Sequence, residues 1–331
     1  MNKQCPSIAN ALTDELGLID YNSLSISDYN KRYIANLKLA FPYYMKIYLS
    51  CLHEGIKSVS LPLSEITMID YGGGTGFLSM LAKRIGIGRV IYIDLNPKSV
   101  ETITLLKEKT GNGPDDILCG NSHDLANWCK LKNVNPQLLI ATDLIEHVYS
   151  LDNFFDDLIG INSQLCMIFS TGSNPYNFYT KRRLQKRMIA CEQGNAEIPN
   201  YLTLRSKFIF ENFPQLSTDE QQRWAINTRG LIFEDIKKAI ETNTLPTVDA
   251  YNTCDPRTGN WEERILSFSE YRRLLSPYEY TLSVKKGYYN AKRSRKVLSA
   301  IVACLNVFIG LIGEAGLLVS PFIILVCRKK S

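Results

Sequence analysis

Residues 66 to 94 read ITMIDYGGGTGFLSMLAKRIGIGRVIYID. Ile66, Met68 and Ile69 form an apolar run that ends on Asp70, and glycines then fall at 72, 73, 74 and 76. Phe77, Leu78, Leu81 and Ile85 recur at helical spacing, and a second apolar run, Val90 to Ile93, closes on Asp94. The pattern is strand, glycine turn, helix, strand, with an acid at the tip of each strand. Glycine lets the backbone approach a ligand closely, and the helix that begins there points unpaired N–H groups at it. Asp94 can take both hydroxyls of a ribose. The stretch is expected to bind a nucleoside-like cofactor.

The alternation continues outward. Asn96-Pro97 starts a helix to about Lys109, Gly111 to Pro114 is a loop, and Ile117 to Cys119 is a third strand leading into Gly120-Asn121-Ser122-His123-Asp124. A short helix over Leu125 to Lys130 precedes a fourth strand, Leu138 to Ala141, that ends in Thr142-Asp143. Asn153 to Ile161 is a helix and Leu165 to Phe169 a fifth strand. Ser269 to Leu275 reads as a helix, and Tyr280 to Lys286 and Pro321 to Arg328 supply the last two of seven strands. Such alternation predicts an α/β fold, a Rossmann-like, mostly parallel sheet with helices on both faces. Ligands of such sheets sit beyond the carboxyl ends of the strands, where Asp70, Asp94, Asn121 and Asp143 converge.

Glycine spacing narrows the cofactor. Dinucleotide turns read Gly-x-Gly-x-x-Gly, which here would need glycine where Phe77 stands. The chain instead has Asp70-x-Gly72-x-Gly74-x-Gly76, which resembles motif I of the class I S-adenosylmethionine-dependent methyltransferases. The resemblance covers roughly residues 66 to 172. It implies S-adenosylmethionine as cofactor, with Gly72, Gly73, Gly74 and Gly76 passing under its methionine and ribose portion and Asp70 near its amino group. Asp94, followed by Leu95, would hold the ribose hydroxyls. Asn121, followed by Ser122, stands where the family usually has an acid facing the adenine amino group, so either Asn121 or Asp124 would accept that hydrogen bond. Asp143 would flank the methionine end. Leu138 to Val148 ends in Glu146-His147-Val148, similar to the Glu-His-Val motif after strand four in the subgroup that includes quinone-pathway O-methyltransferases. His147 is then either a general base for a hydroxyl acceptor or a residue that caps the turn, and Glu146 has the same two readings.

The rest of the chain frames that core. Residues 1–60 are expected to form an N-terminal helical extension: 1 to 20 are polar and loose, while Tyr29, Tyr33, Ile34, Leu37, Phe41, Tyr44, Ile47 and Tyr48 repeat at helical spacing with a break near Pro42. These helices either pack on the sheet edge or form a lid over the cofactor. The cofactor-binding core is 61–173, and 174–264 is a mostly helical cap inserted after strand five. The cap carries a basic helix (Lys181, Arg182, Arg183, Lys186, Arg187) and a polar loop, Cys254 to Arg264, of a make-up that often touches ligand. Residues 265–331 complete the core. They contain the oddest segment, Val297 to Cys327, whose single charged residue is Glu314. Lys292, Arg293, Arg295 and Lys296 precede it, and Arg328, Lys329 and Lys330 follow. Its first part, residues 297–313, is a buried helix, a helix lying in the membrane interface, or a spanning helix at the short end of the ~20 residues a bilayer needs.

Composition bounds the rest. The 331 residues are 45% hydrophobic and 21% charged, those of an ordinary globular protein. A net charge of +5 is compatible with an anionic membrane surface and does not call for nucleic acid. Nine cysteines without a C-x-x-C pair read as reduced core residues of a cytoplasmic protein, and no His/Asp/Glu arrangement calls for a metal. MNKQCPSIAN has no apolar core of signal-peptide length. The sequence therefore points to a methyltransferase acting on an oxygen or nitrogen of a small-molecule, sugar or lipid-linked acceptor, peripheral at the inner face of the membrane through residues 292–330. The rivals are an RNA methyltransferase, a nicotinamide-dependent oxidoreductase, and a non-catalytic membrane-associated protein of the same fold.

Overall fold

A computed structural model describes residues 4–194, 199–247, 251–292 and 295–330. Arg293 lies outside the described residues, as do 195–198 and 248–250 of the expected cap. Helices α1 (Cys5–Leu18), α2 (Asp28–Lys38) and α3 (Phe41–Ser58) come first. The alternating unit follows: β1 (Thr67–Tyr71), α4 (Phe77–Ile85), β2 (Arg89–Asp94), α5 (Pro97–Thr110), β3 (Asp116–Cys119), α6 (Ser122–Lys132), β4 (Leu138–Thr142), α7 (Leu151–Ile161) and β5 (Cys166–Thr171). Helices α8 (Phe178–Gln193), α9 (Tyr201–Asn212), α10 (Thr218–Asn227) and α11 (Phe233–Glu241) interrupt it. Then come α12 (Phe268–Leu275), β6 (Tyr280–Lys286), α13 (Lys296–Leu311) and β7 (Ile323–Lys329).

The strands form one seven-stranded sheet in the order β3-β2-β1-β4-β5-β7-β6. Strands β1 to β5 run parallel, and β7 is antiparallel to both its neighbours. Successive side chains point to opposite faces. Met68, Val90, Tyr92, Leu138 and Ile140 join the core beneath α1, α3 and α4. Ile69, Ile91, Ile93, Leu139 and Ala141 join the one beneath α7 and α12. Both faces are covered, which is why these strands read as unbroken apolar runs rather than alternating ones. A third, smaller cluster around Ile209, Trp224 and Ile236 holds α9, α10 and α11 together. The chain order reverses at β1, whose two neighbours are β2 and β4, and this is where a crevice opens in such sheets.

Two expectations need correction. The expected loose segment, residues 1 to 20, is helical where α1 occupies Cys5–Leu18, and its residues 1–3 lie outside the described residues. Cys5, Ala9, Leu12 and Leu16 form a buried stripe at helical spacing against α3 and α4, thin enough to be hidden among polar neighbours. Nor does the apolar segment before Glu314 form a buried helix: of α13 only Ile309 is buried. It is not a spanning helix either. Among the described residues no helix is long and apolar enough to cross a membrane. Its strand, β7, is buried as expected.

Helix α3 lies across the sheet rather than at its edge. A Cβ on Gly55 would stand 2.7 Å from Leu138 Cδ1, so only glycine admits β4 this closely. Beneath the β1–α4 turn, Asp70 is 1% exposed and accepts hydrogen bonds from Ser79 N–H (3.0 Å) and Ser79 Oγ (2.6 Å). Burial outweighs these bonds and raises its carboxyl from 3.8 to about 7. An acid whose folded value is raised stabilises the fold below its unfolded value and loses that contribution as pH climbs to the folded one. The loss here is on the order of 4 kcal/mol. Urea titrations of the native chain should show unfolding free energy falling between about pH 4 and 7, and Asp70→Asn should flatten that fall. An unchanged pH slope would show that Asp70 does not titrate in this window.

Candidate active site

The turn between β1 and α4 is built by backbone constraints. Gly72 and Gly76 take φ of +66° and +76°, and a Cβ at either would meet Leu144 Cδ1 at 2.0 Å or Ile103 Cδ1 at 2.2 Å. The turn is tied to β2 by Gly74 N–H donating to Asp94 Oδ2 at 2.8 Å and by the Tyr92 hydroxyl donating to Gly74 O at 2.6 Å. Asp94 Oδ1 accepts from Asn96 N–H at 2.8 Å. Partial burial raises the Asp94 carboxyl above its ordinary value, against these two backbone bonds.

In front of the turn lies a cavity of about 510 Å³. Its wall brings together Gly72, Asp94, Leu95, Asn121, Ser122 and His147 of the residues singled out in the sequence. Tyr71 and Phe154, packed edge to face at 5.1 Å, add an apolar side. Tyr149, Ser150 and the loop tip Thr258–Gly259–Asn260 close it from the cap side. That tip belongs to the polar loop flagged in the sequence, and a Cβ on Gly259 would meet Tyr149 at 2.8 Å. A larger cleft of about 750 Å³ runs between α6 and α7, without the glycine turn or the strand-end acid Asp94.

Other expected residues sit elsewhere. Asp70 is turned under the glycine turn toward Ser79 and does not line the cavity. Gly73, Gly74 and Gly76 shape the turn without lining the cavity, and Asp143 is exposed at the end of β4 with φ of +57°. Asn121 Oδ1 caps α6 by accepting from His123 N–H (2.9 Å) and Asp124 N–H (3.1 Å), while Asp124 Oδ2 accepts from Asn121 N–H (2.9 Å). Of the two candidates for the adenine edge, Asn121 lines the cavity and Asp124 does not. Ser122 donates to Asp157 Oδ2 at 2.6 Å.

The post-strand-four turn is clamped by the cap. Trp261 N–H donates to His147 O at 3.2 Å and Arg264 N–H to Glu146 O at 3.0 Å. His147 Nδ1 stands 2.7 Å from Trp261 O. A carbonyl only accepts, so Nδ1 carries the proton, and in the neutral ring Nε2 keeps its lone pair. Glu146 is 1% exposed, and among the described residues no hydrogen-bond partner stands within 3.5 Å of either carboxylate oxygen. Burial, then the nearby Asp143 charge, pushes its carboxyl well above the ordinary range. Glu263 accepts from Ser173 Oγ (2.8 Å) and pairs with Arg187 (3.3 Å).

One further group comes from the helices that the sequence offered as either a sheet cover or a lid. Tyr33 of α2 and Tyr44 and Tyr48 of α3 lie where the Asp143 charge is felt; burial raises each hydroxyl first, followed by that charge for Tyr33 and Tyr44 and by Tyr33 and Asp70 for Tyr48. A Cβ on Gly74 would be 4.0 Å from the Tyr33 ring. These helices thus both cover the sheet and bring tyrosines to the outer side of the turn.

An unpartnered buried carboxyl contributes nothing to stability when neutral and weakens the fold when ionised. Glu146→Gln should accordingly be at least as stable as the native chain in urea at pH 8. A loss of more than about 1 kcal/mol would mean that the carboxyl makes a stabilising bond.

No family model matches the chain. Over 35 residues it is 54% identical to the ribosomal protein L11 methyltransferase of Burkholderia mallei (strain NCTC 10229), a stretch covering 11% of this chain and 12% of that protein. Over 59 residues it is 41% identical to the protein of the same name from Burkholderia thailandensis, covering 16% and 20%. The chain thus spans a fifth or less of the length of these curated relatives. Among solved structures, a S-adenosylmethionine-dependent methyltransferase from Clostridium acetobutylicum ATCC 824 aligns over 92% of this chain and 100% of its own, at 11% identity and TM-score 0.46. PKMT2 from Rickettsia typhi, in complex with AdoHcy, aligns over 86% and 52%, at 12% identity and TM-score 0.41. Matches this short or this distant carry no argument about what the chain acts on. With six strands running one way, β7 reversed between two of them and a glycine turn at the switch point, this chain has a Rossmann-like α/β fold.

Proposed function

We propose that this protein is a methyltransferase that uses S-adenosylmethionine. The observation that carries the reading is the cavity itself. The Cβ-less wall at Gly72, the Asp94 carboxylate and the Asn121 amide meet in one space of about 510 Å³ at the carboxyl ends of the strands. That donor set fits a nucleoside bearing a charged amino-acid tail: Asp94 accepts from two ribose hydroxyls, Asn121 and Ser122 face the base, and Gly72 lets the tail pass. When bound, the cofactor supplies a methyl group on a positively charged sulfur. The exposed Asp143 and the Tyr33 and Tyr48 rings provide negative potential beside the turn, which favours a cation there.

His147 is the residue assigned to the acceptor. Its Nε2 is free to take the proton of a hydroxyl or amine as the new bond to carbon forms, and Trp261 O holds the ring in that tautomer. Alignment and exclusion of water do the remainder, which is the work of the Thr258–Asn260 tip and Tyr149. Glu146 sits behind this turn, out of reach of solvent, and serves to shape it.

The acceptor is a small molecule, a sugar or a lipid-linked compound met at a membrane surface. Supporting this is α13, an apolar helix that leaves its side chains in solvent beside Lys292, Arg295 and Lys296.

Incubation with methyl-labelled S-adenosylmethionine and fractionated cell extract should place label in a lipid or small-molecule fraction. Asp94→Ala should weaken cofactor binding about 10- to 100-fold, as expected for losing a charged hydrogen-bond acceptor. His147→Ala should leave that affinity within a few-fold and lower kcat about 10²- to 10⁴-fold. Label confined to an RNase-sensitive fraction, or a His147→Ala enzyme of native kcat, would contradict the assignment.

A further inference from the structure

Helix α8 has two opposite stripes. Thr180, Leu184, Met188 and Cys191 are buried. Phe178, Lys181, Arg182, Gln185, Lys186 and Ile189 follow the i, i+3, i+4, i+7 rhythm on the other side and, with Tyr251, line a shallow groove of about 410 Å³. The groove has an aromatic end and three cations. The Arg182 guanidinium stands 5.9 Å from the Phe178 ring centre. Among the described residues no carboxylate lies within 4.0 Å of Lys181, Arg182 or Lys186, whereas Arg187 is paired with Glu263. Three cations held together without counter-charges repel one another, an arrangement suited to an anionic surface.

This groove is joined to α13. The Asn174 amide donates to Leu317 O (2.8 Å) and Ser320 O (2.9 Å), and the Asn177 amide donates to Ser320 O (3.0 Å). Both asparagine side chains are buried, so the first turn of α8 is fixed beside the Gly313–Leu318 turn that follows α13. Lys286 closes that turn by donating to Gly310 O and Gly313 O at 3.0 and 2.9 Å. The joined elements each leave large apolar side chains in solvent: Leu311 is 79% exposed, Leu318 58%, Phe178 71% and Tyr179 76%.

We propose that the outer stripe of α8 is a second membrane contact, with Lys181, Arg182 and Lys186 gripping the phosphates of anionic lipids while Phe178 and Tyr179 enter the interface beside α13. The occupant is argued from charge: apolar rings rimmed by unpaired cations match an anionic bilayer surface, and α13 itself carries no acid. The proposal rests on the reading of α13 as a membrane-lying helix and goes beyond it by placing part of the lipid site in the cap. Ser173, which holds Glu263 beside the post-strand-four turn, immediately precedes Asn174, one of the two buried asparagines that anchor α8.

The test is co-sedimentation of the intact chain with vesicles of phosphatidylcholine alone or mixed with phosphatidylglycerol. The native protein should bind the mixed vesicles, and raised salt should weaken it. Lys181→Ala/Arg182→Ala/Lys186→Ala should weaken binding roughly a hundredfold, about fivefold per charge. Phe178→Ser/Tyr179→Ser should weaken binding to the mixed vesicles even at raised salt. Calorimetric cofactor binding by each variant, unchanged from the native chain, reports that it is folded. If a Val307→Ser/Leu311→Ser chain loses binding while both α8 variants keep it, the α8 contact is refuted and the α13 reading stands. If the native chain binds neither vesicle, both fall.

Discussion

The hydrogen bond from Gly74 N–H to Asp94 Oδ2 is the joint on which the site depends. It ties the tip of β1 to the tip of β2, and it forms only because the backbone between them takes a course closed to other residues. Gly72 and Gly76 need positive φ, and Leu144 and Ile103 already occupy the space a Cβ would take. The same crowding fixes the position of Leu144 and hence of the turn carrying Glu146 and His147. One short glycine segment thus places the acid, the cavity wall and the acceptor-side histidine relative to each other. The parallel sheet with its reversal at β1 opens the crevice where this happens.

Most of the core was legible because its periods are strong. The runs at 66–69, 90–93, 138–141 and 165–169 have the length of buried parallel strands, and the acids and Asn121 after them mark carboxyl ends. What was illegible follows from facing. An acid at a strand tip reads the same whether it meets a ligand or a helix; Asp70 meets Ser79, and only that serine nine residues on hints at it. Helix α1 was hidden because four apolar residues among polar ones make a thin stripe, sufficient only because α3 and α4 receive it. Helix α13 misleads in the opposite sense: a helix apolar on all sides reads as buried, and here it lies outside. The tyrosines beside the turn come from two helices whose placement over the sheet depends on the Gly55–Leu138 contact, which has no sequence signal.

The cap and the core meet through backbone rather than through a large apolar interface at this point. Trp261 and Arg264 N–H groups bond the carbonyls of His147 and Glu146, and the loop tip that follows from this pairing covers the cavity. The loop therefore does two things at once: it sets the histidine tautomer and excludes solvent from the space in front of Gly72. In the proposed reading the cofactor lies at the sheet, the proton is taken at the clamped turn, and the acceptor comes from the side where α8 and α13 join.

Calorimetric titration of the intact protein with S-adenosylmethionine, S-adenosylhomocysteine and NAD tests the central claim most directly. The account predicts saturable one-site binding of the first two and no binding of NAD, whose turn would need glycine where Phe77 stands. Binding of NAD without binding of either adenosyl compound would contradict it.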